Sequence, residues 1–396
     1  MLNRKKILTL CMSLFISISA NAYQGMEKWS VVTGGNIGSS VAIDDSSGNI
    51  YVGSVDNNLY SFTSSGSLRW KYDISAVIGA SPSVSNDGTS VYIGDYDGRL
   101  TSVDTSSGSL NWTFTSSGRI YASPAIAPDG SIIFGSADGN IYAVNPATGQ
   151  EKWRFTTAGE IGGSPVIDKD GYVYFGSADG YIYGVNPNNN NPQQILKLNL
   201  RGEVSSPALN GTGTLYVGSY DNKLYAVDIF TKKVKWSLSL NAKVVSAPVI
   251  AEDGTVYALT YENSSLNAIS SNGNLKWQYQ LNSANAFNSP VIGKDGMVYV
   301  GVGDKSVFAL NPSSYPSMES WQYVGDSDFI SSPAISNDGT LYIVSKNSAL
   351  YAIETSSMGL AESDWPSFGN DAKNKRYQVS KINIPVLIVI ITSTLL

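Results

Sequence analysis

The chain has 396 residues, is 42% apolar and carries a formal charge of −6. That is enough to bury a large core, and the acidic balance excludes a general nucleic-acid surface, which needs a basic face. Charged residues make up only 15%, no histidine occurs, and Gly, Ser, Asn, Thr and Tyr abound, so the composition points to many short strands and turns and excludes Ser-His-Asp catalysis and histidine-ligated zinc or haem.

The N-terminus reads MLNRKKILTLCMSLFISISANA. Arg4, Lys5 and Lys6 precede an apolar run from Ile7 to Ile18, and Ala20-Asn21-Ala22 places small residues at a cleavage site, so residues 1–22 are expected to be a secretory signal removed after Ala22. Leu10 stands where a lipid-attachment motif has a small residue, which weighs against lipidation of Cys11. Cys11 is the single cysteine, so a mature chain starting at residue 23 has no disulfide, cysteine-bound metal or thiol nucleophile.

Residues 23–360 are repetitive. Trp29, Trp70, Trp112, Trp153, Trp236, Trp277 and Trp321 fall 41 to 44 residues apart once Ile195 is taken as the eighth marker. Each marker is followed by small residues and, in all but the first copy, a proline: Pro82, Pro124, Pro165, Pro207, Pro248, Pro290 and Pro333. A copy holds four strand-length runs, for example SPAIA, SIIFGS, NIYAVN and QEKWRF, separated by Asp129-Gly130, Asp138-Gly139 and the turn Asn145 to Gly149. Asp-Gly gives the positive φ that tight hairpins need at little cost. Four short antiparallel strands cannot cover both their faces alone, so the copies must pack on one another. The expected fold is all-β, an eight-bladed β-propeller of four-stranded antiparallel blades, with the tryptophans as docking residues between blades. The last copy lacks an outer strand while EKWSVV precedes the first complete blade, so the N-terminal strand is expected to close the ring. Tyr51, Tyr92, Tyr174, Tyr216, Tyr257, Tyr299 and Tyr342 recur at blade spacing and read as core packing. The junction at Ile195, with its smaller marker and the loose turn NPNNNNPQQ, is expected to be the weakest.

The repeat SPAIAPDGSIIFGSADGNIYAVNPATGQEKW resembles the PQQ-type repeat of quinoprotein-like eight-bladed propellers, over Trp29 to about Glu354. Ala143 to Trp153 looks like that family's tryptophan-docking motif, and Asp364 to Tyr377 (DWPSFGNDAKNKRY), within a terminal segment taken as 361–380, resembles a segment at the termini of secreted members. The family has two branches. One binds pyrroloquinoline quinone and Ca²⁺ as a dehydrogenase. The other is non-catalytic, notably the propeller of the outer-membrane β-barrel assembly machinery, and this chain is most like that branch.

In a catalytic propeller the special residues sit on loops before the innermost strands. Here those loops carry Arg119, Tyr121, Glu160, Glu203, Lys243, Phe287 and Asp328, a ring of mixed charge with two aromatics. No set of Ca²⁺ ligands plus a carboxylate base stands out, no adjacent cysteine pair occurs, and long insertions are absent, so neither catalytic residues nor a cofactor or metal is assigned. Asp97-Gly98, Asp138-Gly139 and Asp179-Gly180 lack the alternating carboxylates of an EF-hand and read as turns. Surface glycan binding is a third class.

The expectation is therefore an exported, non-catalytic, monomeric scaffold, periplasmic or associated with the outer membrane or cell surface. Its partners would be envelope or surface proteins meeting the loop ring, with a possible place in outer-membrane-protein assembly. The apolar tail, residues 381–396 (KINIPVLIVIITSTLL), is short for a spanning helix and reads as a weak membrane anchor giving peripheral association, a processed sorting tail or an extra strand.

Overall fold

The computed structural model describes residues 24–281, 288–371 and 374–376. It contains eight four-stranded antiparallel sheets. Blade 1 spans 42–73, blade 2 83–115, blade 3 125–156, blade 4 166–199, blade 5 208–239, blade 6 249–280 and blade 7 291–324. Blade 8 combines 334–354 with the N-terminal strand Glu27–Val32, which pairs with Ala349–Glu354, so the expected closure is present. The signal segment and the apolar tail lie outside the described residues.

In blade 3 the strands run from the axis outward as Ala125–Ile126, Ile132–Gly135, Asn140–Val144 and Glu151–Thr156. The inner strand is two residues long because eight of them converge on one axis. Second and third strands are buried on both faces, whereas outer strands alternate between exposed and covered positions.

One row of side chains repeats across the blades. In blade 1 the register aligns Ala42, Tyr51, Ser61 and Trp70; in blade 5 it aligns Ala208, Tyr216, Ala226 and Trp236. A small third residue leaves the space in which Tyr and Trp rings meet, at centroid distances from 5.6 Å (Tyr257–Trp277) to 5.9 Å (Tyr51–Trp70). Such offset aromatic pairs contribute about 0.5–1.5 kcal/mol beyond area burial. The tyrosine series is thus core, as its spacing implied. The outer strand bulges one residue before the tryptophan, which re-aims the indole toward the next blade.

There the indole meets a turn. Trp112 Nε1 donates to the Pro146 carbonyl at 2.7 Å, and its ring lies where a Cβ on Gly149 would come within 2.5 Å. Trp29, Trp70 and Trp236 donate to the carbonyls of Ser64, Thr105 and Ser271 in the same way. Trp321 lies under Gly25 with no partner for its Nε1, while Trp277 stacks on Tyr315 at 6.2 Å.

Blade 4 corrects one expectation. The marker that occupies the tryptophan position is Leu196, opposite Gly184; Ile195 is the bulged residue beside it. Leu196 is buried, and Ile229 of blade 5 packs against the same cluster. The loose asparagine turn instead belongs to the junction before it. There Trp153, Lys152 and Asn186 to Asn190 line a groove of about 560 Å³.

The segment following blade 8 runs over the face that carries the turns between first and second strands, and closes the channel at that end. Leu360 and Trp365 bridge to Gly293 and Ile250. The channel-facing amides of Ile292, Ile250, Ile126 and Ile167 donate to the carbonyls of Pro366, Trp365, Lys375 and Arg376. An inner strand is a sheet edge, and this plug supplies its missing partners. Asn374 Nδ2 donates to the carbonyls of Val41 and Pro82. Arg376, fully buried, donates through Nε to Pro165 O at 2.8 Å and through Nη1 to Phe368 O, with its guanidinium 4.6 Å from the Phe368 ring.

Candidate functional site

The opposite face carries the connectors between blades, and these follow one rule. Six of the described connectors each bury one residue (Ile78, Ile120, Ile161, Val204, Val244, Phe329) and turn its predecessor outward. The predecessor's carbonyl accepts from the amide of the turn between second and third strands. The pairs are Tyr96 N to Val77 O, Ala137 N to Arg119 O, Ala178 N to Glu160 O, Tyr220 N to Glu203 O, Tyr261 N to Lys243 O and Lys346 N to Asp328 O. The backbone is fixed and the side chain is free to vary. Arg119, Glu160, Glu203, Lys243 and Asp328 therefore occupy equivalent positions on one face. In blade 5 the connector is one residue shorter ahead of its proline, and the position belongs to Glu203. Phe287 lies outside the described residues.

Cations in this ring reach sideways over aromatic rings. Arg119 Nη1 donates to the Tyr121 hydroxyl at 3.1 Å and its guanidinium lies 5.7 Å from the Tyr96 ring centre; Tyr96 and Tyr121 meet edge-on at 5.1 Å. Lys243 pairs with Glu262 at 3.1 Å and lies 5.8 Å from the Tyr220 ring. Tyr96, Tyr220, Val55 and Ile330 are exposed among these polar groups. Sequence reading missed these four: Val55, Tyr96 and Tyr220 stand on turns between second and third strands where other blades carry Ala137, Ala178, Tyr261 and Lys346, and Ile330 follows the buried Phe329 on its connector, so no repeated residue type marks them.

Between the two cations, Glu160, Glu203, Tyr121 and Tyr220 line a cleft of about 390 Å³ that adjoins the channel mouth. Partial desolvation, then the like charge of Glu160, pushes the Glu203 carboxyl above its usual range. Neither carboxylate has an ion-pair partner among the described residues.

The Asp-Gly turns on this face are structural, as read. Asp138 accepts from the amide of Asn140 at 3.0 Å and from the Tyr142 hydroxyl at 2.7 Å, and Asp179 does the same with Tyr181 and Tyr183. Among the described residues no group of three or more acidic, histidine or cysteine side chains converges as a metal site. The described residues thus do not gather the several oxygen ligands around one point that a Ca²⁺ site needs.

The channel itself is lined by hydroxyls. Six inter-blade bonds run from one small-residue pair to the next: Ser332 N to Ser40 Oγ, Ser40 N to Ser81 Oγ, Ser81 N to Ser123 Oγ, Ser123 N to Ser164 Oγ, Ser164 N to Ser206 Oγ and Ser289 N to Ser332 Oγ. Ala247 interrupts the belt, having no hydroxyl to accept from Ser206. The belt explains why the small residues that follow the markers are so often serines.

Eight closed blades, docking tryptophans and a plugged channel define a propeller of the PQQ-repeat class. The chain belongs to the family described as outer membrane protein assembly factor BamB, whose model matches residues 17–197 and 178–367. Among solved structures it is similar to BamB from Moraxella catarrhalis, at 18% identity with a TM-score of 0.67, covering 83% of this chain and 97% of that one. It is equally similar in fold to the computationally designed Ika8 protein, at 14% identity with a TM-score of 0.70, covering 83% and 99%. No curated protein matched in a sequence comparison.

Proposed function

We propose that this protein is an exported, non-catalytic scaffold of the cell envelope that docks partner proteins on its connector face and serves outer-membrane-protein assembly. The observation that carries this reading is the asymmetry of the two faces. One end of the channel is closed by the chain's own C-terminal segment, whereas the other presents Tyr96, Tyr121 and Tyr220 among Arg119, Glu160, Glu203 and Lys243, on loops whose backbones are pinned. Aromatic and arginine side chains on a rigid frame are what protein interfaces favour. Membership of the BamB family and the signal-like N-terminus support the setting in the periplasm or at the outer membrane.

The test is site-specific photo-crosslinking in the native cell. Probes at Arg119 and Asp328 should capture one discrete envelope protein, and a probe at Lys169, on the plugged face, should not. Equal capture from both faces, or none from the connector face, overturns the reading.

A further inference from the structure

We propose that the axial channel is a binding site for one small monovalent anion of halide size, held by the serine belt above the plug. Two independent observations lead there. The first is the hydrogen bonding of the belt. Six hydroxyl oxygens, those of Ser40, Ser81, Ser123, Ser164, Ser206 and Ser332, each accept a neighbouring blade's amide. A hydroxyl is also a donor, and none of these six donates to any acceptor among the described residues. Five of the six are more than nine-tenths buried. With the oxygen accepting from the amide, each hydroxyl keeps a donor available, and five of the six, all but Ser164, line one cavity on the axis.

The second observation is the charge below them. Arg376 is fully buried, and no carboxylate pairs with it among the described residues. Its guanidinium is satisfied by carbonyls, including that of the belt residue Ser164 at 3.4 Å, and packs on Phe368. Phe368 in turn lines the channel cavity of about 180 Å³ together with Ser40, Ser81, Ser123, Ser206 and Ser332. A buried cation without a counter-charge is costly. Converging donors over an unpaired cation form an environment that favours negative charge.

The mouth sets the size and valence. Glu160 and Glu203 stand in the adjoining cleft. Their charge opposes entry of multivalent oxyanions more strongly than that of a monovalent ion, because the repulsion scales with ligand charge. The cavity also leaves room for little beyond one ion and its remaining waters. An anion bound there would tie blades 1 to 5 and 8 to the plug and stabilise the closed ring.

The experiment is anomalous diffraction from crystals of the mature protein soaked in sodium bromide, with melting curves in sodium bromide and sodium gluconate at equal ionic strength. Expected is one bromide peak on the axis at the level of Ser123 and Ser206, and a higher Tm in bromide than in gluconate. The double variant Ser123→Ala/Ser206→Ala, a change the ring already carries at Ala247, should keep the far-UV spectrum and lose both the axial peak and the bromide increment. Bromide confined to surface positions, an axial peak undiminished in the variant, or equal Tm values in the two salts for wild type would overturn the proposal. If the double variant does not fold, Ser40→Ala alone should reduce the axial occupancy, and an unchanged occupancy counts against the site.

Discussion

Leu196 stands opposite Gly184, in the row where the other seven blades place a tryptophan opposite alanine or serine. The glycine lets Tyr174 approach; a Cβ there would come within 2.9 Å of the Tyr174 ring. In the turn of blade 5 facing Leu196, Ile229 packs into the same cluster and Lys232, at φ 58°, holds the place of the glycine that roofs an indole in other blades. Restoring the consensus should therefore fail. Leu196→Trp is expected to lower the Tm by overpacking, and Leu196→Ala to cost about 2–4 kcal/mol through the cavity it leaves. Denaturant unfolding of both variants decides it, and a stabilised tryptophan variant would contradict this account of the junction.

The indole nitrogens separate two otherwise equivalent tryptophans. Trp112 Nε1 has the Pro146 carbonyl at 2.7 Å, whereas Trp321 Nε1 is buried without a partner. Trp112→Phe leaves a carbonyl unpaired and Trp321→Phe removes an unsatisfied donor. Trp112→Phe should be the more destabilising by about 1 kcal/mol, since an unmet buried polar group costs about 1–3 kcal/mol. Equal losses from the two would show that the ring's packing, and not its N–H, governs docking.

The fold was legible because period dominates its physics: the tryptophans, Asp-Gly turns and tyrosines each recur at blade spacing, so every copy corroborates the others. The exceptions are local changes in length. A one-residue bulge hid Leu196 behind Ile195, and a one-residue shortening hid the equivalence of Glu203 with Glu160. The plug was seen as a terminal motif but its placement was not, because its partners are main-chain groups on strands far off in sequence, for instance Pro165, 211 residues before Arg376. The serine belt was seen as small residues; sequence carries no sign that each Oγ accepts across a blade junction.

Aspartates in the turns make the propeller acid-sensitive. Asp104 is held at about 2 by the amides and hydroxyls of Ser107 and Ser106, and Asp87, Asp129, Asp138, Asp253 and Asp338 are also held below the usual carboxylate value. A carboxyl whose pKa is depressed by folding contributes stability that is fully present above its unfolded value of 3.8 and is lost as pH falls through the folded one. The Tm should therefore be insensitive to these groups above pH 5 and fall steadily from pH 4 toward 2. Asp104→Asn should lower the Tm at pH 6 and leave it little changed near pH 2. A variant deficit that persists undiminished at pH 2 would refute the assignment.

Closure by the N-terminal strand gives a direct test by deletion. Glu27–Val32 pairs with Ala349–Glu354, and its Trp29 meets Tyr342 at 5.8 Å and reaches the Ser64 carbonyl of blade 1. Removing residues 23–32 exposes the edge of blade 8 and its contact with blade 1. The Tm should drop by many degrees, and the deleted protein should self-associate through the unpaired strand. An unaltered melt would place the closure elsewhere.

The plug binds four inner strands through their amides, so its contribution can be read residue by residue. In the intact chain Ile126, Ile167, Ile250 and Ile292 donate to plug carbonyls, and Trp365 is completely buried. A chain ending at residue 362 returns those four amides to a water-filled channel, while the rest of each blade keeps its ladder. Hydrogen exchange at these four positions should accelerate far more than at Ile133 or Ala143, whose bonds lie within blade 3. Trp365→Ala, which keeps the plug's backbone but empties its largest buried side chain, should cost about 3–5 kcal/mol. Were the four amides to exchange at the same rate with and without the segment, the inner strands would be stable as open edges, and the plug would be an appendage of the ring and not its inner seal.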